Sequence, residues 1–123
     1  MTMVGTLLII MLAAVMIAQA ATASVYIYTS DLTGKYTSSV GLATSGRAQG
    51  WNYSDSSNDL YVILYSADPG LGWGNRGQSR VSIGGNCNFS ATNDVAASWR
   101  VELNPYGIGT SGCHGKGTVT APR

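Results

Sequence analysis

The segment Gly72–Gly77 reads GWGNRG and matches the G-x-G-x-x-G pattern of dinucleotide-binding loops. In such loops the third glycine opens a helix whose N-terminus holds the pyrophosphate. Here the following residues, QSRVSIGGN, alternate β-branched with polar side chains and therefore predict a strand. The stretch from Asp68 to Ser79 also leaves no room for the crossover helix of a parallel βαβ unit. The sequence argues against a nucleotide site and predicts a loop at Ala67–Gly77 between two strands.

A second candidate for chemistry is the glycine-flanked Ser111, which is followed by Cys113 and His114. A catalytic triad needs a histidine that reaches the serine and a carboxylate that orients the histidine. The chain has one histidine, three residues away in the same glycine-rich loop, and Cys113 breaks the G-x-S-x-G pattern. Glu102 is the only glutamate, and it alternates with Arg100 on a strand face that we expect to be solvated. We expect it to pair there with Arg100 or with a cross-strand partner. The sequence therefore predicts no catalytic residues and no enzyme activity.

Oxygen-bearing side chains alternate in Asp55–Asp59, as they do in calcium loops. However, Leu60 occupies the position of the loop's sixth-place glycine and Ser66 that of its bidentate glutamate. The segment predicts a polar turn rather than a metal site, and no cofactor is expected.

Aromatic residues are the unusual feature of the composition. The chain has seven tyrosines, three tryptophans and one phenylalanine, all after residue 23. Four of them lie in polar or turn-like sequence, where their claim on the core is weak: Trp73, Trp51, Tyr53 and Tyr106. Flat apolar rings beside Asn, Asp and Gln are what a sugar- or peptide-binding surface requires. For Trp73, two interpretations stay open: the loop folds back to cap the core, or the ring is exposed for binding.

Residues 1–23 predict a secretory signal peptide. The segment is uncharged, apolar from Val4 to Ala18, and ends in small-x-small cleavage signals after Ala20 and after Ala23. We expect a secreted, extracellular protein with a single domain at residues 24–123. Because no Lys or Arg precedes the apolar run, an uncleaved N-terminal anchor is the alternative.

Charge excludes two classes of partner. The net charge is +1 with no run of either sign, so neither nucleic acid nor, once the leader is cleaved, a membrane surface is expected.

Short β-favouring runs separated by Gly, Asn, Asp and Ser predict an all-β domain. The runs are VYIY (25–28), SVGLAT (39–44), LYVILY (60–65), RVSI (80–83), ASWRVEL (97–103) and GTVTA (117–121). We expect a small two-sheet β-sandwich of six or seven short strands, with a closed barrel as the alternative. An even cysteine count in an exported chain predicts one disulfide, Cys87–Cys113.

These features predict a binding module for carbohydrate or a cell-surface polymer. A secreted inhibitor or antimicrobial protein acting on another protein is one alternative, and a self-assembling surface protein is the other. Asn52 and Asn88 each begin an N-glycosylation sequon.

Overall fold

The computed structural model describes residues 20–106 and 110–122. In this part of the chain, seven strands form one antiparallel sheet, which confirms the all-β prediction. The strands are β1 (Ala21–Ile27), β2 (Lys35–Tyr36), β3 (Val40–Asn52), β4 (Leu60–Ala67), β5 (Gly74–Val81), β6 (Asn86–Pro105) and β7 (Gly115–Ala121). Their order across the sheet is β1-β7-β3-β6-β4-β5, with β2 paired to β6.

The predicted loop at Ala67–Gly77 is too long. β5 begins at Gly74 and pairs with β4, so GWGNRG forms the end of a shorter loop and the start of a strand. The segment lacks a β-favouring pattern because β5 is an edge strand that pairs with β4 alone. The structure places a strand where a dinucleotide site would need a helix.

The sheet folds over so that β3 and β7 face β4 and β6. A methyl group added to Gly50 of β3 would lie 2.4 Å from the Val62 side chain of β4. One added to Gly117 of β7 would lie 2.8 Å from Leu103 of β6. These glycines allow the two halves to approach closely, and the apolar core lies between them.

The prediction of two separate sheets is not confirmed, because β3 and β6 run through both halves. β6 turns the corner where its pairing with β3 passes from Ser45↔Thr92 to Ala43↔Ala97, which leaves extra residues on β6. Among the described residues β1 and β5 end the sheet without pairing to each other, so the barrel alternative is wrong.

The predicted disulfide is also wrong: Cys87 and Cys113 are both free. Gly50 pairs with Cys87 on one side and with Gly117 on the other, so Cys87 and β7 are separated by two strand spacings, about 9.5 Å. Disulfides need Cα atoms within about 4.4–6.8 Å. Cys113 precedes β7 and donates instead to the carbonyl oxygens of Asn58 and Asp59, each at 3.3 Å.

Most of the predicted leader, residues 1–19, lies outside the described residues. Ala21–Ala23 are described and open β1, where they pair with Val119–Ala121 of β7. No helix in the described ranges is long and apolar enough to span a membrane.

Candidate functional site

One outer surface of the folded sheet carries a dense set of aromatic and polar side chains, which we call the aromatic face. Alternation along β4 and β6 sends Leu60, Val62, Leu64, Trp99, Val101 and Leu103 into the core, where each is fully buried. The intervening residues lie on the opposite side of these strands and form the aromatic face together with Tyr36 of β2: Tyr61, Ile63, Tyr65, Arg100, Glu102 and Asn104. Two of them, Ile63 and Glu102, are buried there.

Arg100 lies at the centre of this face against three rings. Its Cζ is 4.3 Å from the ring centroid of Tyr36, 4.3 Å from Trp73 and 5.7 Å from Tyr65. These distances are those of cation–π contacts, which stabilise an arginine in one orientation. The guanidinium is therefore held by rings from β2, β4 and the β4–β5 loop.

Glu102 lies beside Arg100 on β6 but is buried, with 6% of its surface exposed. The Tyr65 hydroxyl donates to its Oε1 at 2.7 Å, and Asn104 Nδ2 lies 3.5 Å from Oε2. Gly34 covers it so closely that an added methyl group would lie 2.1 Å from Oε2. The Glu102 carboxylate thus bonds to neighbouring side chains of the site and is covered by the backbone at Gly34. We expected Glu102 on a solvated face, paired with Arg100 or with a cross-strand partner. Its partner is Tyr65 on the neighbouring strand, and the ion pairs of the described residues include none between Glu102 and Arg100. The expectation of a solvated face is wrong, because Glu102 is buried.

The two tyrosines beside Glu102 keep their protons. Burial raises the pKa of Tyr65 far above its usual value, and its hydrogen bond to Glu102 adds to the shift. Burial, followed by the negative charge of Glu102, raises the pKa of Tyr36 as well. Both phenols are neutral donors at physiological pH.

The β4–β5 loop is anchored, which positions Trp73. The Leu71 amide donates to the Asp68 carbonyl oxygen at 2.9 Å in a turn that uses Gly70 at φ +78°. Asn93, in the corner of β6, donates from Nδ2 to Asp68 Oδ1 at 2.7 Å. The loop is thereby fixed to the strand that also carries Arg100.

The structure does not bring the four predicted binding residues together. Trp73 contacts Arg100, and Tyr106 lies near the other end of the aromatic face, 5.7 Å from Tyr61. Trp51 and Tyr53 lie at the outer side of the opposite half of the sheet. There, Lys116 Nζ is 5.9 Å from the Trp51 ring, and the Tyr53 ring is 4.7 Å from that of His114.

Around His114 there is a separate polar cluster. Its Nδ1 lies 2.9 Å from Asp55 Oδ2, and its ring stacks on Tyr28 at 5.7 Å. In the described ranges no serine hydroxyl bonds the His114 ring; Ser56 bonds only its backbone. Asp55 lies in a turn, as predicted, and its carboxylate pairs with His114. The described residues contain no group of three His, Cys, Asp or Glu suited to a metal ion.

Sequence reasoning did not identify Tyr36, Tyr65 and Arg100 as site residues. The alternation in ASWRVEL placed Arg100 and Glu102 on one face. The missing information was the pairing of β6 with β2 and β4, which sets Tyr36 opposite Glu102 and Tyr65 opposite Arg100.

Comparison with protein-family models and with curated proteins finds no match. Among solved structures the chain resembles PirA, with a TM-score of 0.51 and 12% identity over 81% of this chain and 92% of that one. A periplasmic inhibitor of g-type lysozyme from Aeromonas hydrophila gives 0.48 and 11% over 86% and 88%. A structure described as CBM4 gives 0.45 and 14% over 83% and 71%. At these identities the likeness to PirA concerns the fold alone, and the other two carry no conclusion.

Proposed function

We propose that the chain is a secreted carbohydrate-binding domain whose site is the aromatic face, on a folded sheet that acts as a β-sandwich. One observation carries this proposal: Trp73 and Tyr36 hold Arg100 between β2 and the β4–β5 loop, yet keep 36% and 46% of their surfaces exposed. Rings that were needed only to complete the core would be covered by it.

The surroundings of these rings fit a sugar ligand. The apolar side of a sugar ring stacks on an aromatic face, and its hydroxyls need donors and acceptors at the rim. Arg100, Asn104 and the exposed Gln78 of β5, which pairs with β4 beside Ile63, supply them. Because contacts with neighbouring residues already fix Tyr65 and Arg100, little conformational entropy is lost on binding.

The same geometry favours binding over cleavage. Glycoside hydrolysis in its usual form uses two carboxylates that flank the scissile bond. The aromatic face contributes Glu102 alone, which is covered by Gly34 and bonded to Tyr65. We therefore propose a binding protein rather than an enzyme.

Secretion is part of the proposal, and the extent of β1 favours one of the two predicted cleavage positions. Cleavage after Ala20 leaves β1 complete, whereas cleavage after Ala23 removes three residues that pair with β7. We propose that the mature chain begins at Ala21.

Affinity gel electrophoresis of residues 21–123 in gels containing neutral or acidic polysaccharides tests the proposal. We expect retardation by at least one polysaccharide, and at least tenfold weaker binding for Trp73→Ala and Tyr36→Ala. Tyr26→Ala is the matched control: Tyr26 is also 46% exposed and lies 5.7 Å from a cation, Lys116, but on the other half of the sheet.

Two results would contradict the proposal. One is the absence of retardation in every gel by a protein that circular dichroism shows to be folded. The other is equal loss of binding in Tyr26→Ala and Tyr36→Ala, which would show that the aromatic face is not the site.

A second function, inhibition of another protein, is favoured by the loop that carries Trp73. Leu71, at its tip, is 70% exposed, and rigid loops with an exposed apolar residue suit insertion into a partner's cleft. Inhibition of a secreted protease or lysozyme that Leu71→Asp abolishes would support this function. Because Leu71 lies at the loop tip and not on the aromatic face, Leu71→Asp should leave any binding of polysaccharide unchanged.

A further inference from the structure

Arg100 carries a further inference, which rests on the proposed function and concerns the class of sugar. Its Nε is buried and has no hydrogen-bond partner among residues 20–106 and 110–122. None of the ion pairs in these ranges includes Arg100. Arg100 thus contacts three rings and holds a positive charge that forms no ion pair with a carboxylate of the described residues.

The adjacent carboxylate does not fill this role. Glu102 accepts a hydrogen bond from Tyr65 and lies under Gly34, so its oxygens are directed into the protein. Unlike Nε, the terminal nitrogens of Arg100 are not buried without a hydrogen-bond partner. Without an acceptor among the described residues, they reach solvent at the surface of the aromatic face.

A guanidinium has a planar fork of donors whose geometry matches a carboxylate. The Arg100 Cζ lies 4.3 Å from the ring centroids of both Tyr36 and Trp73, and each of these rings keeps part of its surface exposed. A ligand that stacks on Trp73 would therefore bring a group at its own edge to this fork.

We propose that the aromatic face binds acidic sugars, and that Arg100 donates two hydrogen bonds to the ligand's carboxylate. The sugar ring stacks on the exposed part of Trp73. With a net charge of +1 for the whole chain, specificity comes from this fork rather than from a general attraction to polyanions.

Isothermal titration of residues 21–123 tests the proposal with an oligogalacturonate, its carboxyl-reduced form and dextran sulfate. We expect the oligogalacturonate to bind at least tenfold more tightly than the reduced form and than dextran sulfate. Arg100→Lys keeps the charge but removes the fork, and should abolish this preference. Arg47→Lys is the matched control, because Arg47 lies on β3 and bonds Asn88, away from the aromatic face.

Each outcome is decisive. Equal affinity for the acid and its reduced form, or a preference that survives in Arg100→Lys, would overturn the carboxylate proposal while leaving a neutral-sugar site intact. Tighter binding of dextran sulfate would overturn it in favour of simple charge attraction. Absence of binding to any carbohydrate, including the neutral polysaccharides, would overturn the proposed function itself. Melting temperatures of both variants verify that each is folded, and Arg100→Gln serves as the second variant if Arg100→Lys is unstable.

Discussion

Tyr65→Phe removes one oxygen atom from the aromatic face and should destabilise the protein measurably. The Tyr65 hydroxyl donates to Glu102 at 2.7 Å, and Glu102 is only 6% exposed. A hydrogen bond to a charged group contributes about 1.5–3 kcal/mol, and the variant leaves the buried carboxylate without its shortest donor. Since 1 kcal/mol changes the melting temperature of a domain this size by about 4–8 °C, we expect a fall of roughly 6–24 °C.

Differential scanning calorimetry of residues 21–123 measures this change, with Tyr61→Phe as the matched control. Tyr61 lies on the same strand and the same face, and its contact with Tyr106 is between rings, 5.7 Å apart. The control should melt within about 2 °C of the wild type, as expected for a substitution that removes no buried partner. Equal melting temperatures for Tyr65→Phe and the wild type would show that the buried carboxylate of Glu102 does not depend on this donor.

The same pair of variants has a pH signature. Folding raises the pKa of Tyr65 from 10.0, so the stability due to its protonated form is complete below that value and is lost as the pH rises above it. Urea unfolding above about pH 10 should therefore show a steeper loss of stability in the wild type than in Tyr65→Phe. Tyr61→Phe should follow the wild type; parallel curves for all three proteins would contradict the assignment.

Three further predictions concern the scaffold. Because both cysteines are free, a phosphine reductant should leave the melting temperature unchanged, and a thiol assay on the unfolded chain should find two thiols. If a disulfide were present, reduction would lower the free energy of unfolding by about 3 kcal/mol. Asn52→Ala should lower the free energy of unfolding by about 2–4 kcal/mol, because the buried Asn52 donates from Nδ2 to the carbonyl oxygens of Asn58 and Val81. The control Asn88→Ala, at an exposed position, should leave it unchanged, and equal urea midpoints for the two variants would count against this. A chain that begins at Ser24 should be about 1–3 kcal/mol less stable than one that begins at Ala21, because it lacks three residues that pair with β7. Identical urea unfolding curves would show that this end of β1 contributes nothing to stability.

The sequence predicted the strands with strong side-chain patterns. LYVILY lies within β4 and ASWRVEL within β6, because alternating or continuous apolar residues depend on core burial that any β arrangement would provide. It did not predict the length of β6, whose first half, NCNFSATNDV, is mostly polar. That half pairs with β3 and places Phe89 against the core, and such support comes from residues distant in sequence.

The candidate site was partly predictable for a similar reason. Trp73 stood out because a tryptophan in a glycine-rich loop has no local reason to be there. Tyr36 and Arg100 did not, because their contact depends on β2 pairing with β6 from the opposite side to β4. The disulfide prediction was wrong because an even cysteine count carries no information on which side of β3 each cysteine lies.

The most direct test of the central claim uses the three tryptophans as built-in reporters. Each indole N–H gives one cross-peak in a proton–nitrogen correlation spectrum: Trp73 reports on the aromatic face, Trp51 on the opposite half, and Trp99 on the core, where its Nε1 donates to the Ala43 carbonyl oxygen at 2.8 Å. On titration with oligogalacturonate, we expect the Trp73 peak to shift to saturation while the Trp51 and Trp99 peaks stay in place. Saturable movement of the Trp51 peak with a stationary Trp73 peak would contradict it.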